Sequence, residues 1–130
     1  MKKILIIFIF LLCGCGNPTP KVLPESEILS DAVINEPYQA SITITGGALN
    51  EKSVWVEINP ADSGLTWHPK ESSFQWEGKE IIRKHYHNIN ITGIPKNAGL
   101  IKIDVVGFTL GTMYPGKDFN KTYTIEVKNR

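Results

Sequence analysis

The chain has 130 residues, 42% of them hydrophobic and 21% charged, and a net charge of +1. That is room for one domain with a real core, and the composition excludes a disordered or fibrous chain. The near-balanced charge lacks the basic face or stripe that nucleic-acid binding needs.

The first element is a run from Ile4 to Leu12 in which every residue is apolar, preceded by Lys2 and Lys3 and followed by Gly14, Cys15 and Gly16. A basic start, an apolar run of about 7–15 residues and a small residue at the cut describe a secretory signal peptide. A bilayer span needs about 20 apolar residues, so the run is too short for a permanent helix. An N-terminal anchor helix or a buried strand is the competing interpretation, but little else in the chain could cover so apolar a segment. Leu12-Cys13-Gly14-Cys15 resembles the lipobox of bacterial lipoproteins, in which a small residue precedes an obligatory cysteine. The resemblance implies residues 1–14 as the signal peptide, a diacylglyceryl thioether on Cys15 and cleavage before it. Two or three acyl chains anchor stably where one binds only marginally. Cys13 would put Leu12 where the small residue belongs.

Removing Lys2 and Lys3 leaves 12 basic against 13 acidic residues. Cys13 and Cys15 are the only cysteines, so the mature domain has no internal disulfide even though its compartment is oxidising. In lipoproteins of Gram-negative type an aspartate after the cysteine favours inner-membrane retention. Gly16 stands there instead, which favours the outer membrane, facing the periplasm or the cell surface.

Residues 15–30 carry Pro18, Pro20 and Pro24 among polar neighbours and read as a lipidated cysteine followed by a flexible, extended tether. Ile28 and Leu29 could already open the first strand. From Asp31 to Arg130 the chain reads as strands. Ala40, Ile42 and Ile44 alternate with Ser41, Thr43 and Thr45 before Gly46-Gly47. Val54, Val56 and Ile58 share a face, with Trp55 and Glu57 opposite. Leu65 with Trp67, and Phe74 with Trp76, form two short apolar pairs, and a longer strand spans about Ile81 to Ile94. Ile101, Ile103 and Val105 alternate with Lys102 and Asp104, and Tyr123, Ile125 and Val127 close the chain. Period-2 alternation, β-branched residues and frequent turn signals predict an all-β, Ig-like sandwich of about seven strands.

Leu29-Ser-Asp-Ala32 through Tyr38, Gly46-Gly47, Trp55, Gly64-Leu65 and Gly93-Ile94-Pro95-Lys96-Asn97-Ala98-Gly99 together resemble the bacterial cadherin-like Ig domains. The resemblance covers most of Leu29 to Lys128 and implies adhesion, display or partner binding, with no catalytic residues to transfer. Two departures stand out: Asn35 where that family tends to have glycine, and a longer, more charged stretch from Trp67 to Asn90. The acidic calcium motifs of true cadherins are not evident.

The chemistry-bearing residues are few. His85 and His87 share a parity on a strand, and His68 or Glu80 could add a third zinc ligand; the plainer interpretation is a polar strand end projecting from the sandwich. No serine sits in a Gly-x-Ser-x-Gly elbow, and no motif calls for a cofactor, so the chain reads as no enzyme. Trp55, Trp67, Trp76 and Tyr86 are candidates for an interaction surface, since Trp and Tyr are enriched at binding hot spots; the alternative is that tryptophans fill the core. The expected function is a membrane-anchored, non-enzymatic binding module for a protein or envelope glycan. The alternative is a periplasmic inhibitor or immunity lipoprotein that blocks a toxin or hydrolase.

Overall fold

Isoleucine and valine at every second position need a dry surface on one side only, and two four-stranded sheets supply it for each other. A computed structural model describes residues 18–130; the expected signal peptide and the expected lipidation site at Cys15 lie outside the described residues. Eight strands follow in order: β1 (Lys21–Leu23), β2 (Ala32–Val33), β3 (Tyr38–Thr45), β4 (Val54–Asn59), β5 (Leu65–Trp76), β6 (Lys79–Gly93), β7 (Gly99–Phe108) and β8 (Asp118–Lys128). One sheet has the order β1-β3-β6-β5 and the other β2-β8-β7-β4. The fold is an all-β, Ig-like sandwich.

The core lies between the sheets. Ile42 and Ile44 from β3 and Ile89 and Ile91 from β6 face Ile103 and Val105 from β7 and Tyr123 and Ile125 from β8, all fully buried. Val54 on β4 and Leu65 on β5 close its margins. The predicted inward sets on β3, β4, β7 and β8 all point into this space.

The predicted tether is where the structure departs most. Lys21–Leu23 pair antiparallel with β3, Lys21 opposite Thr45 and Leu23 opposite Thr43. The chain then crosses to the other sheet and runs beside β8, Ala32 opposite Val127 in parallel register. Backbone bonds Thr124 N to Glu27 O and Leu29 N to Thr124 O fasten the crossing, and Leu29 is buried in the core. Residues 21–30, expected to belong to a flexible tether over 15–30, are thus built into the sandwich, and the domain expected from 31 already includes them. Pro20 and Pro24 flank a three-residue edge strand, the place where proline's missing donor costs least.

Two turn positions explain residues that the sequence made conspicuous. Asn35 adopts φ 62°, the left-handed region in which asparagine is the best tolerated residue after glycine. It thereby takes a backbone conformation otherwise left mostly to glycine. In the Gly93–Gly99 connection, Pro95 is fully buried and its carbonyl accepts from Asn35 N at 2.9 Å.

The second departure is the length of β5 and β6. The two predicted apolar pairs belong to one strand, which pairs with β6 as far as Trp76 opposite Lys79. The register slips between Pro69 (opposite Ile89) and Lys70 (opposite His85), so three residues of β6 bulge there. β3 stops pairing at Thr43 opposite Asn88. Beyond that point residues 70–85 form a two-stranded ribbon that leaves the sandwich, exposed on both faces apart from the half-buried His85 at its root. Glu77 (φ 51°) and Gly78 (φ 77°) close its tip, the two positive dihedrals of a tight hairpin turn that matches strand twist.

Candidate interaction surfaces

The four aromatic candidates do not form one patch. Trp67 and Tyr86 are half-buried and pack against the core, apart from the exposed pair: Trp67 shares the inward parity of Leu65, and Tyr86 lies in the stretch of β6 that bulges opposite Pro69 and Lys70. Trp55 is 54% exposed on the outer face of β4, and Trp76 is 61% exposed at the ribbon tip.

Trp55 stands opposite Val106, on the solvent face of the second sheet, because Val54 and Val56 beside it point inward. Phe108, two residues along β7, brings its ring to 6.0 Å from the Trp55 ring at an angle of 47°, within the range of a favourable tilted aromatic pair. The three side chains edge an open depression of about 480 Å³, with Asp118 and Asn120 of β8 on its polar side. It offers flat apolar rings flanked by an acceptor and an amide. Phe108 was legible in the sequence: it shares parity with the outward Lys102 and Asp104.

The ribbon is amphipathic across its thickness. Residues directly opposite each other share a face and alternate along each strand, so the register sorts the side chains. One face carries Lys70, Ser72, Phe74 and Trp76 with Lys79, Ile81, Arg83 and His85. The other carries Glu71, Ser73 and Gln75 with Glu80, Ile82 and Lys84. The first face holds the aromatic residues and three cations with no acid; the second holds two acids and one cation. Arg83 lies over the Phe74 ring at 5.4 Å, and Ser72 Oγ is 2.7 Å from His85 Nε2, contacts that hold the first face together.

The histidines are kept apart. His68 Nε2 lies 3.3 Å from Thr92 Oγ1, His85 meets Ser72, and His87 Nε2 donates to the carbonyl of Gly47 at 2.7 Å. The register slip separates His85 from His87, so their shared parity does not bring them to one site. Glu80 sits near the ribbon tip, opposite Gln75. Among the described residues no group of three or more His, Cys, Asp or Glu side chains is arranged to hold a metal ion.

One end of the sandwich gathers several of these features. Thr19 packs on the turn after β3 so closely that a Cβ on Gly46 would lie 2.3 Å from the Thr19 carbonyl oxygen. Lys117 Nζ donates to Thr19 Oγ1 at 3.2 Å. His87 reaches Gly47 at the same turn, so the ribbon leaves from this end. The β7–β8 loop is here too, through the Ala48–Leu110 bridge, and carries Met113, 87% exposed. Between β1 and β8 a cleft of about 300 Å³ opens, lined by Leu23, Phe119 and the lysines 21, 117 and 121.

No protein-family model matches the chain, and no curated protein matches it. Among solved structures it is similar to a mutant of the SrpA adhesin from Streptococcus sanguinis, with a TM-score of 0.55 and 11% identity over 89% of this chain and 61% of that one. The PapD-like domain 7 of human CEP192 matches with a TM-score of 0.41 and 9% identity over 92% of each chain. This chain thus spans 61% of the adhesin chain's length. What it shares with the adhesin is the β-sandwich fold.

Proposed function

We propose that the chain is a lipid-anchored, non-enzymatic interaction module of a bacterial envelope. Acyl chains on Cys15 hold it at a membrane, the outer one where the host has two. The outer face around Trp55 and Phe108 receives a protein or an envelope glycan. The observation that carries the binding role is the paired exposure of these two rings. The core is filled without them, and a solvent-facing Trp–Phe pair beside a polar rim is the composition of a binding hot spot. The likeness in fold to an adhesin is in keeping with that role.

The test is photo-crosslinking in the native envelope. The full precursor is expressed in a bacterium that processes lipoproteins, with a photoreactive residue at Val106 or, as control, at Ser41 on the opposite sheet. A discrete adduct from Val106 that disappears in Trp55→Ala supports the reading. Equal adducts from both positions, or none, overturn it. An adduct that proves to be a single hydrolase or toxin bound one to one turns the reading to an inhibitor. Intact mass of the purified protein reports the acyl chains at Cys15.

A further inference from the structure

We infer that the β5–β6 ribbon is a second membrane contact, its Phe74–Trp76 face lying in the headgroup region of the anionic leaflet that holds the Cys15 acyl chains. The inference rests on Cys15 being lipidated. Three independent observations lead to it.

The first is placement. Antiparallel pairing of Lys21 with Thr45 sends the chain N-terminal to β1 past the end of β3, where Thr19 packs on Gly46. The ribbon leaves the sandwich at that same end, where His87 bonds Gly47. The second is length. Cys15 precedes Thr19 by four residues, so at about 3.5 Å per residue the anchor keeps this end within about 14 Å of the bilayer surface. The ribbon runs from Lys70 opposite His85 to Trp76 opposite Lys79, about 20 Å at 3.3 Å per residue. It is longer than the gap it has to cross. Met113, the most exposed apolar side chain of the domain at 87%, faces out from the same end.

The third is chemistry. Trp76 at the tip, with Phe74 and Ile81 behind it, is the residue set that partitions into the membrane interface. Lys70, Lys79 and Arg83 share that face and suit anionic headgroups, while Glu71 and Glu80 lie on the other face. Glu77 sits in the tip turn, between the two faces, so a bilayer approached from the aromatic side meets three cations against that one acid. The arrangement also answers what an exposed two-stranded ribbon gains from apolar side chains that stabilise no core.

The experiment uses the lipidated full-length product reconstituted into vesicles, with Trp76 followed by quenching from dibrominated lipids and isolated as the difference between wild type and Trp76→Phe. In vesicles containing phosphatidylglycerol, the Trp76 signal is expected to be quenched by bromines placed shallow in the acyl chains. Each cation near an anionic surface is worth about fivefold in partitioning, so the double variant Lys79→Gln/Arg83→Gln lowers the inserted-to-free ratio about 25-fold. Glu71→Gln on the opposite face leaves the ratio unchanged or raises it. Trp76 unquenched in protein that carries acyl chains and floats with the vesicles overturns the inference and leaves the anchoring intact. A Trp76 signal that becomes shielded only when an envelope protein is added also overturns it, and assigns the ribbon to that protein. An unmodified Cys15 by intact mass overturns both readings together.

Discussion

Tyr123→Phe isolates what holds the N-terminal strap to the sandwich. The ring of Tyr123 is fully buried, and its hydroxyl donates to the Pro24 carbonyl at 2.7 Å, at the point where the chain crosses from β1 to β2. Lys121 Nζ covers the same ring at 5.8 Å and donates to the Glu25 carbonyl at 2.7 Å. Phenylalanine keeps the ring and its packing and removes only the donor. Pro24 lies in an exposed stretch, so water can reach its carbonyl, and the loss falls near the middle of the usual range, about 1 kcal/mol. For a domain of this size that lowers Tm by about 4 °C. Amide exchange over residues 21–30 should speed up by about fivefold, because the strap opens locally before the domain does.

The phenol also reports through pH. Burial pushes the Tyr123 pKa from 10.0 up to about 12, so the folded state keeps a proton that the unfolded chain gives up. Its contribution is whole below pH 10 and is lost as pH rises from 10 towards about 12. Tyr38, raised by burial against the lowering effect of its Ser30 hydrogen bond, and Lys128, raised by its bond to Asp31, weaken the fold in the same direction. The comparison with Tyr123→Phe isolates the share of Tyr123: the variant should lose less stability than wild type over that interval. Urea unfolding at a series of pH values measures it. Parallel pH curves, with unchanged exchange in the strap, would refute the role given to this hydroxyl.

Three further outcomes follow from named contacts. Gly64 has φ +92° and a Cβ there would sit 2.0 Å from the Ile94 carbonyl oxygen, whereas Gly99 has φ +128° with nothing within 4 Å. Gly99→Ala should cost only backbone strain, about 1–2 kcal/mol, and Gly64→Ala distinctly more; equal melting points would show that the Gly64 turn relaxes freely. Replacing residues 71–84 with an Asn-Gly turn joining Lys70 to His85 removes no core side chain, so stability should stay within about 0.5 kcal/mol; a large drop in chemical denaturation would mean the ribbon folds back on the sandwich. Trp55→Ala removes an exposed ring and its contact with Phe108, so it should cost no more than about 1 kcal/mol while abolishing the Val106 crosslink.

What the sequence disclosed divides along a physical line. Where one face of a strand is dry, the side chains must alternate, and Ile42/Ile44, Ile101/Ile103/Val105 and Tyr123/Ile125/Val127 announced their strands and inward faces. Trp55 could be placed outside for the same reason, since Val54 and Val56 claimed the inside. The strap was illegible because its strand is three residues long and bounded by prolines, whose signal is that of a tether; the bonds that fix it come from β3 and β8, far along the chain. The resemblance through Gly93–Gly99 pointed to the right architecture, and the structure gives those residues a reason in the burial of Pro95 and the left-handed Asn35.

The ribbon escaped for a different reason. Neither of its faces is buried in the sandwich, so no dry surface selects a hydrophobic alternation. What alternates instead is aromatic-cationic against acidic, which along the sequence looks like a charged insertion holding two unrelated apolar pairs. Only the pairing of Phe74 with Ile81 and of Ser72 with Arg83 sorts the charges by face. A segment whose pattern is set by something outside the molecule gives no core signal to read, and the absence of that signal over fourteen consecutive exposed residues, Glu71 to Lys84, is what directs attention to a surface the domain does not itself contain. If that surface is the bilayer, neutralising Lys79 and Arg83 must weaken the membrane contact while leaving the melting point alone, because these cations touch no buried group of the sandwich. A variant that melted early would place them in the domain's own stability and remove the reason for looking beyond it.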